Sequence, residues 1–115
     1  MAWAKGITDV VPMHGLGTTP CLVDRHTGVV YTNPQIWPLL SQPTKAFFLL
    51  HEWGHLARQT FSETEADSFA FNIFIKQGFK PELAATALRT IPNWYNDNQI
   101  INRVRLLEAK AQQHR

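Results

Sequence analysis

At 115 residues and 13.1 kDa the chain is long enough for one domain with its own core and too short for two. Hydrophobic residues make up 44% and charged residues 17%, which excludes a disordered chain, and a net charge of +2 is too small to call for nucleic acid or a membrane surface as partner. The single cysteine, Cys21, excludes an internal disulfide framework, and the longest apolar run, Ala46 to Leu50, is far short of the roughly 20 residues of a membrane span.

Three stretches favour strands: Ile7 to Val11, Cys21 to Asp24, and Val29 to Thr32. Arg25-His-Thr-Gly28 is a short connection ending in glycine, so the last two stretches read as a β-hairpin, while the glycines and proline of residues 14–20 mark a loop. From Pro34 the pattern turns helical. A short helix is expected over Gln35 to Leu40, and a long one from Pro43 to Arg58. Gly54 interrupts the long helix, costs about 1 kcal/mol there, and so demands a reason. Ser62-Glu-Thr-Glu65 has the capping-box pattern, with Phe61 placed as a hydrophobic staple. A helix should run from there through Lys76, stopped by Gly78. Pro81 opens another to about Thr90, Pro92 breaks it, and Asn96 or Asp97 can cap a last helix to about Ala111, followed by a frayed tail. The layout is one α+β domain over residues 1–115, a small N-terminal antiparallel sheet followed by helices.

The chemistry lies in the two middle helices. His51-Glu-Trp-Gly-His55 is an H-E-x-x-H motif. Imidazoles at i and i+4 project about 40° apart on one helical face and can share a Zn²⁺, while Glu52, about 100° around, can reach the metal's water without being a ligand. A third ligand is required. The metzincin extension is excluded, because Arg58 and Phe61 stand where its glycine and histidine belong. The next helix offers Glu63, Glu65 and Asp67. An antiparallel helix hairpin turning near Gln59 sets His55 opposite Glu63 and His51 opposite Asp67. Glu63 then serves as third ligand and Asp67 as the acceptor that orients His51, with Glu65 left to the capping box. An acidic first turn also simply complements the helix dipole.

His51-Glu-x-Gly-His55 with Glu63-x-x-Ala-Asp67-x-Phe-Ala70 resembles the gluzincin metallopeptidases, closest to the families of the CAAX prenyl and heat-shock proteases, the minigluzincins and the antirepressor-type proteases. The resemblance covers residues 29 to 78 and, more weakly, 98 to 107. It implies that the Glu of the E-x-x-A-D block binds zinc and the Asp supports a histidine, and it offers Val29 to Thr32 as an edge strand pairing with substrate backbone, an ordinary core strand being equally open to that stretch. Arg103-Val104 matches the second half of a further block, while Asp97-Asn98 stands where those families carry His-Pro.

These residues point to a zinc-dependent metalloendopeptidase in the cytoplasm, with one Zn²⁺ on His51, His55 and Glu63. Glu52 acts as general base, Arg103 or Tyr95 stabilises the oxyanion, with surface or structural roles equally open to both, and the substrate is a protein or peptide. A noncatalytic zinc-stabilised interaction domain, or a latent protease blocked by its own tail, is the competing expectation. Trp53, Phe69, Phe71 and Phe74 are expected in the core, Cys21 as a buried thiol, and His14, His26 and His114 in solvent.

Overall fold

The computed structural model describes residues 2–91, 94 and 96–114. Strands β1 (Asp9–Pro12), β2 (Cys21–Val23) and β3 (Val29–Thr32) come first. A single 3₁₀ turn at Trp37–Leu39 leads to helices α1 (Gln42–Ala57), α2 (Glu63–Lys76), α3 (Glu82–Arg89) and α4 (Asn98–Gln113). No helix among the described residues is long and apolar enough to cross a membrane. The mixed α+β layout agrees with the sequence reading, but the sheet is not purely antiparallel. Its order is β1-β3-β2, with β1 parallel to β3 and β2 antiparallel to it.

That order also decides between the two roles open to Val29–Thr32, since β3 is the central strand and β2 lies at an edge. A two-residue side-chain period is the same for parallel and antiparallel neighbours, so the pattern could not tell which strand lies inside. The β2–β3 hairpin itself forms as expected. The Asp24 carboxylate accepts from the backbone N–H groups of His26 and Thr27, at 2.9 and 3.1 Å, and Gly28 closes the turn at φ 78°. A Cβ on Gly28 would collide with the Gly6 carbonyl, because residues 4–8 pack along this turn. The Ala4 N–H donates to Arg25 O at 2.6 Å and the Thr8 N–H to Gly28 O at 2.9 Å.

α1 starts where Ser41 accepts from the Thr44 N–H, and α1 packs lengthwise on α2. Gly54 explains itself at this contact: a Cβ there would meet the Ala66 carbonyl oxygen at 2.8 Å and its Cα at 3.0 Å. The helix gives up intrinsic stability so that the two backbones can approach. The main core continues along the α1–α2 contact, where Phe47 meets Phe74 edge-on, and Phe47, Phe71, Phe74, Leu88 and Leu107 are fully buried with Val30 of the sheet. Trp53 departs from the core expectation. It is 37% exposed and meets the partly buried Phe69 edge-on across the outer face of the hairpin.

Two capping details also differ. Ser62 accepts from the Glu65 N–H at 3.2 Å, but its own N–H donates to Thr60 Oγ1 at 3.0 Å, so Glu65 does not complete the box. Phe61, 69% exposed, packs on Trp3 instead of stapling α2. Asp97 caps α4, accepting from the Gln99 and Ile100 N–H groups. α4 continues to Gln113, and His114 rests against the Phe71 ring.

Candidate metal centre

The turn between α1 and α2 builds the site. α1 ends in a Schellman motif: the Thr60 N–H donates to His55 O at 3.0 Å and the Gln59 N–H to Leu56 O at 3.2 Å. Gln59 takes the left-handed conformation, φ 48°, that this motif demands and that glycine usually supplies. The tight reversal sets α2 antiparallel to α1 in the register expected from sequence. His55 Nε2 lies 2.7 Å from Glu63 Oε1, and His51 Nδ1 lies 2.7 Å from Asp67 Oδ1.

Both imidazole tautomers follow from their neighbours. A carboxylate or a carbonyl only accepts, so His51 Nδ1–H donates to Asp67 and His55 Nδ1–H donates to Thr60 O at 2.8 Å. The Nε2 atoms are left to face each other at 3.1 Å, with Glu63 Oε1 3.4 Å from the first and 2.7 Å from the second. Ligand atoms about 2.1 Å from a tetrahedral ion stand about 3.4 Å apart, so this trio fits one metal ion with little adjustment. His51, His55 and Glu63 are the one such group among the described residues. Their anchoring by Asp67 and Thr60 is the support metal-ligating histidines normally have.

Arg103 reaches the trio from α4 and does not point an idle guanidinium at the cleft. Its Nε and NH2 donate to both oxygens of Asp67, at 2.7 and 3.0 Å, and NH1 donates to Glu63 Oε2 at 3.3 Å. Buried at 6% exposure, it clamps the acid that orients His51 and the acid beside both imidazoles. That geometry gives Arg103 a positioning part, while it also lines the smaller hollow. Tyr95 lies outside the described residues.

Charge follows the same network. Burial pulls the pKa of His51 down, but the hydrogen bonds to Asp67 and Glu63 outweigh it and raise the value to about 9. His55 is raised as well, with burial opposed by Glu63 and by Thr60 O. Glu63 and Asp67 are held below the usual carboxylate range despite burial, by hydrogen bonds to the histidines and, for Asp67, to Arg103; the Arg103 charge also favours the Glu63 anion. Glu52 goes the other way: burial pushes its carboxyl up, and it makes no hydrogen bond or ion pair among the described residues.

Glu52 and Glu63 line two adjoining hollows of about 540 and 230 Å³, which also share Thr19 and Cys21. β2 borders both. Pro20 and Asn33, and Asp24 and Val29, are hydrogen-bonded partners across the hairpin, so alternation turns the backbone N–H and C=O of Cys21 and Val23 away from β3. Cys21 keeps its side chain buried, and burial, with Glu52 nearby, raises its thiol. Among the described residues, nothing beyond Arg103 lines either hollow, so the C-terminal tail does not fill them. His14 is exposed, as is His26, whose Nδ1 lies 3.2 Å from Ala2 O.

Two supports escaped the sequence reading. Thr60 acts through its carbonyl, which has no residue signature, although a forced turn at Gln59 hinted at it. Arg103 binds acids 36 and 40 positions away, a pairing no local pattern encodes. No family model, curated protein or solved structure matches the chain.

Proposed function

We propose that the chain is a zinc-dependent metalloendopeptidase of minimal gluzincin type. The observation that carries this reading is Glu52, a largely buried residue whose carboxyl makes no hydrogen bond among the described residues and opens on the cleft that also holds two outward Nε2 atoms and a carboxylate. Two imidazoles and one carboxylate are a catalytic zinc donor set, and three protein ligands leave a coordination position open. Zinc there supplies Lewis acidity, which makes water nucleophilic near neutral pH and polarises a carbonyl. Glu52, with its pKa raised by burial, accepts the proton of the attacking water at its carboxylate and returns it to the leaving amine. The free edge of β2 offers backbone groups for an extended peptide beside the reacting centre.

The noncatalytic, zinc-stabilised interaction domain is favoured by a different observation. Asp97, at the place where the similar families carry His-Pro, is consumed as a helix cap, and Arg103 is consumed by two carboxylates. One experiment separates them: metal analysis of Glu52→Gln beside the parent, with a peptide-library digest read by mass spectrometry. The proposed function requires cleavage by the parent, none by the variant, and equal zinc in both. Zinc without cleavage in the parent supports the interaction domain, and loss of zinc from the variant removes Glu52 from its role.

A further inference from the structure

The larger hollow is lined also by Arg25, a cation that forms no ion pair among the described residues. The Arg25 guanidinium lies 4.6 Å from the centroid of Phe61, which in turn packs on Trp3 at 5.0 Å between centroids. Trp3 itself is 5.9 Å from the guanidinium carbon. The rings fix the guanidinium plane by cation–π contact and leave its N–H edge in solvent. Among the described residues Arg25 has no ion pair. The nearest acid in sequence, Asp24, turns back on the backbone N–H groups of His26 and Thr27. A fixed, unpaired guanidinium on a cleft wall is what bidentate capture of a carboxylate needs.

Cys21 borders the hollow beside Glu52, and Arg25 stands in the turn that follows β2, four residues further along the chain and so at most about 13 Å away at full extension.

Resting on the peptidase reading above, we infer that the cleft selects extended peptides carrying an acidic side chain within about four residues of the scissile bond, held by Arg25 on the Trp3–Phe61 plate. The preference is electrostatic, through an exposed but pre-positioned guanidinium, so it amounts to about five- to tenfold and weakens with salt.

The test uses zinc-loaded protein and dodecapeptides of one sequence in which a single Asp, or Asn as control, is walked along the chain. Expected is a five- to tenfold higher kcat/KM for Asp over Asn at one place within about four residues of the cut. Arg25→Met should abolish the difference, and Arg25→Glu should transfer it to Lys. Parity in the parent, or a preference that survives Arg25→Met, overturns the inference. Binding of the same fluorescent peptides to zinc-loaded Glu52→Gln separates the two readings. Acid-dependent binding lost with Arg25→Met, without cleavage by the parent, keeps the Arg25 subsite and discards the peptidase. Cleavage indifferent to the acid keeps the peptidase and discards the subsite.

Discussion

His51, His55 and Glu63 occupy two helices joined by one tight turn, whereas Trp3, Arg25 and Phe61, across the same cleft, come from an N-terminal segment, a hairpin turn and an interhelical turn. The metal group is locked several times over: by the Schellman cap, by the Gly54–Ala66 approach, and by the Arg103 clamp on Asp67. The aromatic rim is joined by one ring contact, a cation–π contact and a few backbone hydrogen bonds such as Ala4 N–H to Arg25 O. Geometry that must be exact to a few tenths of an ångström sits on elements that interlock. Recognition, which tolerates adjustment, sits on segments that vary at little cost to the fold.

The sharpest way to break this comparison is to treat the acids of α2 as interchangeable. Glu63→Ala should weaken zinc by orders of magnitude, Asp67→Asn by about 10–100-fold through misorientation of His51, and Glu65→Ala hardly at all. Zinc titrations give the ranking, and equal losses at all three would reduce the interlocked site to a general acidic patch. Asp67→Ala would also leave Arg103 buried against a missing partner, so its fold stability should fall by about 3–5 kcal/mol.

A smaller effect comes from pH. In the metal-free protein His51 keeps its proton up to about 9, and a metal ion must displace it. Apparent zinc affinity should therefore rise about tenfold per pH unit between about 6 and 8 from this proton alone, read by chelator competition. The metal-free fold responds in the opposite sense. The His51 contribution is complete below its ordinary value of 6.5 and is lost as pH rises through about 9. The lowered carboxyls of Glu63 and Asp67 contribute above their ordinary values of 4.5 and 3.8 and lose that contribution as pH falls. Metal-free thermal stability should peak between these limits, in mildly acidic solution. A zinc affinity flat across the range would mean that the carboxylates do not hold His51 as the geometry has it.

The smallest effect sharpens the contrast at the turn. Gln59→Gly relieves a left-handed side chain without touching a ligand and should stabilise the fold by about 1 kcal/mol in urea unfolding, with zinc affinity unchanged. A change in affinity would show that the strain at Gln59 sets the position of Thr60 O.

Much of the fold and the inner site was legible because helix periodicity and capping act within a few residues. H-E-x-x-H places two imidazoles on one face, and Ser62 starts a helix whose first turn carries the acids, so a short turn leaves one register. The reason for Gly54 needed the second helix in place, because only the Ala66 carbonyl makes a Cβ there impossible.

What the residues determined by themselves was therefore the α+β class, the helix boundaries to within a few positions, and the grouping of His51, His55, Glu63 and Asp67. Tertiary structure alone decided that β2 rather than β3 forms the free edge, because strand patterns repeat every second residue whatever the neighbour. It also turned Arg103 from a free cation into a clamp and brought Trp3 to Phe61, pairings 36, 40 and 58 positions apart that depend on how whole elements pack. Local chemistry fixes what lies within a turn of helix; distance along the chain leaves the rest to packing.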